Sequence, residues 1–508
     1  MNNQTPKFLQ HILPTTGIFI WMVTFFGVIL LGPKMINIDG DLGRHLTLGG
    51  TMIDSWKIPI QDIFSHTMTG QPLTPHEWLS QVIYALAERI LGLNGVILVC
   101  ALVIATSFWL VYQSARAEDR SVAMAILVTF LAVVTSSLHW LARPHIFTFL
   151  LLAGWMLALT KLRKRYSRSW WLLPVLMLPW ANLHGAFLAG FVTWFVYGIG
   201  VAWDSFWNRT AQGENPPLRF WQFYFLGGFT AFLASLLNPA GIGIWKTSLG
   251  YIGNQYLVSH TMEYLSPNFH NPGFLPFLLF IGVLVIVLGL SKKRMDSGML
   301  FTSAAWLIMG LYSARNIPLF AIVAAPLLVQ GLSDLLTDAS SHLRIAQKII
   351  SMDAQIRRIE SSLKGMLLPV ACIVIVAIGF QLGARFDLEK RGNSFDPQVF
   401  PVEAVNWLEE NPQEGEMFNY FTWGGYLLYR QFPEKRVFID AQTDFYGEEM
   451  VRKYERVIDL QEGWENILAE YRVDWAILPM NAASAHALQS ELGWKIVYED
   501  STAVILHR

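Results

Sequence analysis

The sequence predicts a polytopic α-helical membrane protein of about eleven spans with a small C-terminal α/β domain. Three observations support this prediction. Of the 508 residues, 53% are hydrophobic and only 15% are charged, against about 25% in typical soluble proteins. Long apolar runs recur through residues 1–385. After residue 386 charged residues become frequent, and no apolar run there is long enough to cross a bilayer.

The overall charge and the two cysteines exclude several classes of protein. The formal net charge is −1, so the chain has no basic field that would attract nucleic acid. Cys100 and Cys372 both lie inside apolar runs. This placement excludes a disulfide scaffold and a cysteine-based zinc site.

The apolar runs predict both the number of spans and their direction. The predicted spans are 12–32, 94–114, 121–139, 145–161, 170–185, 186–205, 219–238, 273–291, 297–313, 316–333 and 365–383. With a cytoplasmic N-terminus, the inner loops carry eighteen Lys and Arg residues and the outer segments before residue 384 carry seven. Basic residues concentrate in cytoplasmic loops. We therefore expect a multi-pass protein of the cytoplasmic (inner) membrane with an extracytoplasmic C-terminal domain.

Three segments are expected to lie outside the bilayer. Residues 33–93 form a long outer loop, in which residues 77–91 have a helical pattern. Residues 334–364 form an inner segment whose apolar residues recur at helical spacing. This pattern favours a helix lying on the inner membrane surface, with a coiled-coil partner site as the alternative. Residues 386–508 form the C-terminal domain.

The C-terminal domain alternates strand-like and helical patterns, which is typical of an α/β fold. The predicted strands are Met417–Tyr420, Arg436–Asp440, Trp475–Pro479, Trp494–Tyr498 and Ala503–Leu506. The predicted helices are 401–410, 423–431, 446–459, 463–471 and 483–492. Asp440, Asp444 and Tyr446 follow a predicted strand, where they could contact a ligand or cap the next helix.

Polar residues are distributed unevenly between the two predicted faces of the membrane. Eight of the twelve histidines map to outer loops or to the outer ends of spans, whereas the inner loops carry mainly basic residues. An ion pathway would need polar groups through the full depth of the membrane, and a transporter would show paired broken helices. The pattern instead indicates one cavity at the outer boundary of the membrane.

The first candidate site is the segment Asn37–His45, directly after the first span. Asp39 and Asp41 face alike in an extended segment or converge through a turn at Gly40. Such a pair can bind a divalent cation, or one carboxylate can act as a base. The alternative is a solvated turn that caps a helix.

Other outer segments carry candidate substrate-binding residues. A guanidinium between two spans is suited to a phosphate, although lipid headgroups could also hold it. A lone histidine in a membrane helix can instead make an interhelical hydrogen bond. The candidate residues are His45, His76, Glu77, Arg143, His145, His184, Glu263, Arg315 and Asn316.

With these residues, the chain resembles the GT-C superfamily of integral-membrane glycosyltransferases, which combine many spans, an acidic first outer loop and an outer C-terminal domain. It also resembles a set of bacterial multi-pass proteins, mostly of undefined substrate. Their shared motifs stand here as Asp39–Leu46, His76–Trp78, Trp423–Leu427 and Phe438–Asp440. Gly43 and Arg44 stand where that set has aromatic residues. Trp423–Tyr426 resembles the Trp-Trp-Asp-Tyr-Gly motif of the oligosaccharyltransferase catalytic subunit without its acidic residue, so acceptor-peptide recognition is not implied.

The resemblance implies a membrane glycosyltransferase that moves a sugar from a polyprenyl-phosphate donor to a glycan, lipid or protein acceptor on the outer face. Asp39 and Asp41 would deprotonate or orient the acceptor hydroxyl, alone or with a bound divalent cation (Mg or Mn). Arg143, His145 and Arg315 would stabilise the departing phosphate. The alternatives are a non-catalytic binder of a lipid-linked sugar or an assembly partner, and a transporter or flippase of lipid-linked precursors.

Overall fold

The computed structural model describes residues 7–116, 120–165, 168–207, 216–365, 367–385 and 393–508. The predicted start of the C-terminal domain at residue 386 lies outside the described residues, so the domain boundary stays a prediction.

Helices dominate the described part of the chain as far as residue 385, apart from the mainly non-helical segment 56–77. In chain order the first are α1 (Lys7–Ile12), α2 (Thr16–Asn37), α3 (Asp41–Ser55), α4 (Trp78–Leu91), α5 (Leu93–Ala115), α6 (Val122–Ser136), α7 (His145–Arg165), α8 (Leu172–Leu183) and α9 (Leu188–Phe206). They are followed by α10 (Leu218–Ser235), α11 (Gly243–Gly253), α12 (Gln255–His260), α13 (Leu275–Leu290), α14 (Ser297–Tyr312), α15 (Ile317–Ala339), α16 (Arg344–Glu360) and α17 (Leu367–Arg385).

Each of the eleven predicted spans coincides with a helix, which confirms a polytopic helical membrane protein. Within the described residues, seven helices are long and apolar enough to cross a bilayer by length and composition. The other four predicted spans coincide with the shorter or less apolar helices α8, α10, α14 and α17. The shortest, α8, has 12 residues, which is about 18 Å of helix against a bilayer core of about 30 Å. α8 is therefore too short to cross the bilayer core by itself, and it ends next to His184.

The centre of the bundle is formed by α5, α7 and α15. The apolar windows of these helices are 72%, 72% and 67% buried, whereas that of α13 is 22% buried. All three are therefore surrounded by other helices, and α13 lies at the periphery facing lipid. The turns that join α6 to α7, α8 to α9 and α14 to α15 lie at the end of the bundle where α2 ends, which we call the site end.

The amphipathic helix predicted within residues 334–364 is α16, at the end opposite the site end. The first residues of the predicted segment belong to α15, which continues to Ala339, and α16 begins at Arg344. Its polar side faces the bundle: Asp353 accepts a hydrogen bond from the Ala123 amide (3.0 Å), and Glu360 pairs with Arg116 (2.5 Å). Its apolar residues Ile345, Met352 and Ile359 are exposed.

The C-terminal region contains a four-stranded sheet with helices packed on it. The strands are β1 (Glu416–Asn419), β2 (Val473–Pro479), β3 (Lys495–Glu499) and β4 (Ala503–His507), in the order β1-β2-β4-β3. Strands β1 and β2 are parallel, and the other pairs are antiparallel. The helices are α18 (Val402–Glu410), α19 (Gly424–Gln431), α20 (Thr443–Ile458), α21 (Trp464–Glu470) and α22 (Ala483–Ser490).

The strand predicted at Arg436–Asp440 is wrong. Only Val437 pairs with another segment there, through an isolated parallel bridge to Ser65. The Asn419 side chain takes the place of a neighbouring strand: its amide oxygen accepts from the Phe438 amide (2.8 Å), and its amide nitrogen donates to the Ile439 carbonyl (2.8 Å). The backbone of Phe438 and Ile439 is therefore hydrogen-bonded by a side chain rather than by a neighbouring strand.

The C-terminal region shares a hydrophobic core with the segment between α2 and α5. Leu48 and Met52 of α3 pack with Phe64, Tyr426 and Trp475 in one buried cluster. Burial of apolar surface is the main stabilising force in folding. The C-terminal region therefore holds α3, and with it Asp41, at the site end of the bundle.

Candidate functional site

The position of α3 is set by backbone contact with α19. An added Cβ would lie 1.8 Å from the Thr422 carbonyl oxygen at Gly40 and 2.3 Å from the Gly425 carbonyl oxygen at Gly43. A Cβ at Gly425 would in turn lie 2.1 Å from the Gly40 carbonyl oxygen. The Asp-rich segment and the Trp-Gly-Gly-Tyr-Leu segment therefore pack directly against each other through their backbones. Any side chain larger than that of glycine at position 43 would therefore meet the backbone of α19.

An ion pair fixes the same contact. Arg44, 3% exposed, pairs with Asp440, which is fully buried. Tyr446 donates a hydrogen bond to the same Asp440 oxygen (3.1 Å), and the Gln442 amide donates to the other (2.9 Å). Arg44 and Asp440 thus hold the C-terminal region against α3. The pairing was missed in the sequence because the two residues are 396 positions apart.

Asp39, Asp41 and Glu263 surround the guanidinium of Arg143, and we call these four residues the Arg143 cluster. Arg143 pairs directly with Asp41, at the first turn of α3. Its Nη1 lies 3.3 Å from Glu263 Oε2 and 3.6 Å from Asp39 Oδ2. The structure thus brings together residues from three separate loops. It also places the predicted catalytic pair and the predicted phosphate-binding arginine in direct contact.

Glu263 is also bound by a second arginine. Arg315 Nη1 lies 3.5 Å from Glu263 Oε1, and the Arg315 guanidinium stacks 4.3 Å from the centre of the Tyr264 ring. His139 Nε2 lies 3.6 Å from Glu263 Oε2. Burial would raise the pKa of Glu263, but the charges of Arg143 and Arg315 outweigh it and lower this pKa to about 2. Glu263 is therefore a fixed anion between two guanidinium groups.

The two aspartates differ in their surroundings. Asp41 forms a direct ion pair with Arg143. The Oδ1 atom of Asp39 accepts a hydrogen bond from the Asp41 amide (3.1 Å), whereas its Oδ2 is buried with no hydrogen-bond donor among the described residues. Burial raises the pKa of Asp39 despite the opposing charge of Arg143. Asp39 therefore has the carboxylate oxygen that is better able to accept a proton.

A second group of polar residues surrounds Glu77, and we call it the Glu77 cluster. Glu77 Oε1 lies 3.6 Å from His184 Nε2 and 4.0 Å from His76 Nε2, and Oε2 lies 4.0 Å from His45 Nδ1. His76 also faces Asp444 of α20 (3.7 Å). Burial raises the pKa of Glu77 to about 7. A small cavity of about 10 Å³, about the least that can hold one water molecule, is lined by His76 and Glu77.

Two predicted residues lie apart from both clusters. His145 binds the His139 backbone carbonyl through Nε2 (2.9 Å), and its ring is 6.4 Å from that of His184. The Asn316 side chain donates to the Met309 carbonyl (3.3 Å), so it caps α14 and faces neither cluster. The structure thus groups Asp39, Asp41, Arg143, Glu263 and Arg315 together, and separately His45, His76, Glu77 and His184.

An apolar groove lies beside the Glu77 cluster. Its volume is about 610 Å³, and its apolar lining includes Trp78, Leu79, Leu178 and Leu237. Trp78 follows Glu77 in the chain and donates a hydrogen bond to Asn182 (2.6 Å). The groove therefore opens on an apolar surface formed by α4, α8 and the segment that follows α10, next to the Glu77 cluster.

The Arg143 cluster does not present the ligand set that a divalent cation requires. Mg²⁺ and Mn²⁺ favour about six oxygen ligands in octahedral arrangement. Here Asp41 and Glu263 are directed at guanidinium nitrogens, and no group of three His, Cys, Asp or Glu side chains suited to a metal ion occurs in the described parts of the chain. In this arrangement Arg143 and Arg315 supply the positive charge that faces the carboxylates.

No protein-family model and no curated protein sequence matches the chain. Two solved structures resemble it across almost its full length. The apo oligosaccharyltransferase of Archaeoglobus fulgidus superposes with a TM-score of 0.55 at 12% identity, covering 91% of this chain and 69% of that chain. The apo form of ArnT from Cupriavidus metallidurans superposes with a TM-score of 0.53 at 12% identity, covering 96% of this chain and 97% of that chain. The chain therefore has the fold of the GT-C integral-membrane glycosyltransferases.

Proposed function

We propose that the protein is a membrane glycosyltransferase that moves a sugar from a polyprenyl-phosphate donor to an acceptor at the outer face of the cytoplasmic membrane. The observation that carries the proposal is the Arg143 cluster. Asp39, Asp41 and Glu263 meet Arg143 at the site end of a bundle with the GT-C fold, and Glu263 also contacts Arg315. An apolar groove lies beside the Glu77 cluster at the same end. A lipid-linked donor needs such a combination, because its tail stays in the bilayer while its phosphate and sugar reach a polar site.

In this proposal Asp39 is the general base. The acceptor hydroxyl attacks the anomeric carbon of the sugar and forms a new C–O bond, while the bond from that carbon to the phosphate oxygen breaks. The acceptor proton passes to Asp39 Oδ2, and the bonding electrons leave with the lipid phosphate. Arg315 and Arg143 offset the charge of the departing phosphate through charge-assisted hydrogen bonds.

The Glu77 cluster is the proposed contact region for the sugar or the acceptor. Carboxylate and imidazole groups are the side chains that hydrogen-bond hydroxyl groups well. His76, which precedes Glu77 in the chain, faces Asp444 of the C-terminal region at 3.7 Å. The C-terminal region would therefore influence which acceptor can reach the site. The adjoining groove is the proposed location of the first units of the polyprenyl tail.

The orientation of the protein is tested by thiol labelling. In a background without Cys100 and Cys372, a cysteine at the exposed Ser394 should react with an impermeant reagent from outside intact cells. A cysteine at the exposed Lys292 should react only after the membrane is permeabilised. The reverse pattern would place the Arg143 cluster on the cytoplasmic side and reject the outer-face reaction.

Deletion of the gene tests the reaction itself. A transferase predicts that one polyprenyl-phosphate sugar accumulates on the outer leaflet, and that this species falls when the wild-type chain is restored. A flippase predicts accumulation on the inner leaflet instead. A non-catalytic binder predicts that an Asp39→Asn variant restores the wild-type lipid profile as fully as the unaltered chain does.

A further inference from the structure

We propose that Arg143 is a built-in cation that takes the place of a divalent metal ion, so that the protein works without bound metal. Its guanidinium would hold the carboxylates of Asp39, Asp41 and Glu263 on one side and meet the donor phosphate on the other. The catalytic part of this inference rests on the proposed function. The cation-binding part concerns the cluster itself and is testable alone.

The geometry supports one shared cation. The three carboxylates come from the turn after α2, from the first turn of α3 and from the segment after α12, yet all are directed at one guanidinium. Asp41 faces Nη2, whereas Asp39 and Glu263 face Nη1 at 3.6 and 3.3 Å. Carboxylates this close repel each other strongly unless a positive charge lies between them.

The backbone around Arg143 is anchored on both sides. The Arg143 carbonyl accepts a hydrogen bond from the hydroxyl of Tyr84 (2.9 Å), and the Ala142 amide donates to the Met35 carbonyl at the end of α2 (3.1 Å). Pro144 follows and restricts the conformation of Arg143. Arg143 is thus held by α2 and α4 in one position, as a bound metal would be held by its ligands.

An arginine can supply the charge that a metal would supply. Its guanidinium is always protonated and presents planar donors that match carboxylate and phosphate oxygens. It cannot lower the pKa of a bound water as a metal ion does. The proposed transfer has a sugar acceptor rather than water as nucleophile, and Asp39 provides the base, so this difference does not prevent the reaction.

Removal of Arg143 should convert the cluster into a metal site. Three carboxylates without their cation must take up protons or another cation, and oxygen ligands of this kind favour Mn²⁺ and Mg²⁺. An Arg143→Lys variant keeps a positive charge at the same place and should not gain the site. An Arg143→Ala/Glu263→Gln variant loses one carboxylate and should bind Mn²⁺ more weakly.

The test is Mn²⁺ titration of the purified full chain in detergent, followed by electron paramagnetic resonance of free Mn²⁺. We expect no Mn²⁺ bound by the wild type, one ion bound by Arg143→Ala, and at least tenfold weaker binding by Arg143→Lys and by Arg143→Ala/Glu263→Gln. Arg143→Gln is the second charge-removing variant, should Arg143→Ala not fold. Arg89→Ala, which removes an exposed arginine paired with Asp54, is the matched control and should bind none.

Two results would overturn the inference. One is Mn²⁺ bound by the wild type and lost in Asp41→Asn. The other is a folded charge-removing variant that binds no more Mn²⁺ than the wild type. Once a transfer assay exists, wild-type activity should be unchanged by a chelator. Absence of any transfer would reject the proposed function, whereas the Mn²⁺ titration would still decide whether Arg143 is the cation of the cluster.

Discussion

Gly43→Ala offers a direct test of the contact between α3 and α19. At this position a Cβ would lie 2.3 Å from the Gly425 carbonyl oxygen, whereas ordinary van der Waals contact begins near 3.4 Å. The two helices would therefore have to separate by about 1 Å, and backbone atoms cannot move aside as a flexible side chain can. Overpacking of this kind costs about 1–3 kcal/mol. The separation would also loosen the buried pair of Arg44 and Asp440.

Gly50→Ala is the matched control in the same helix. The nearest atom to its Cβ would be a side-chain nitrogen of Arg89 at 3.7 Å, so there is space for the methyl group. Alanine is favoured over glycine inside a helix by about 0.5–1 kcal/mol. We expect chemical unfolding in detergent to show Gly50→Ala as stable as the wild type or more so, and Gly43→Ala to be less stable by about 1–3 kcal/mol. Equal stability of the two variants would refute the close backbone contact between Gly43 and Gly425.

Three further predictions concern single side chains. Arg44→Met should lower the free energy of unfolding by about 3–5 kcal/mol, because it leaves Asp440 buried without its partner. An added Asp440→Leu should recover part of that stability in the same unfolding assay, and a double variant as unstable as Arg44→Met would argue against the pair. Asp39→Asn should lower transfer by about 10²–10⁴-fold at normal membrane abundance, whereas Asn316→Ala should keep full activity. Because the pKa of Glu77 is raised to about 7 from 4.5, the folded protein binds this proton more tightly than the unfolded chain. Its contribution to stability is thus complete below pH 4.5 and lost as the pH rises through 7. Glu77→Gln should remove this dependence in unfolding midpoints measured at pH 5 and 8, and an unchanged dependence would contradict the raised pKa.

The sequence alone determined the helical plan of the molecule. Apolar runs depend on local composition, so the eleven predicted spans fall on helices, and the five predicted C-terminal helices and four of the five predicted strands are also present. The polar turns predicted on one face do meet at one end of the bundle. The same local reasoning failed at Arg436–Asp440, where the Asn419 side chain replaces a neighbouring strand.

Only the tertiary structure decided which residues meet. The contact of Gly43 with Gly425 and the pair of Arg44 with Asp440 join positions almost 400 residues apart, and no local pattern encodes such a distance. For the same reason the sequence could not separate the Arg143 cluster from the Glu77 cluster. It predicted carboxylates and arginines on one face, but folding determined that the carboxylates surround Arg143. Composition and periodicity act over a few residues, whereas the electrostatics of a site depend on distances of a few ångströms between separate segments.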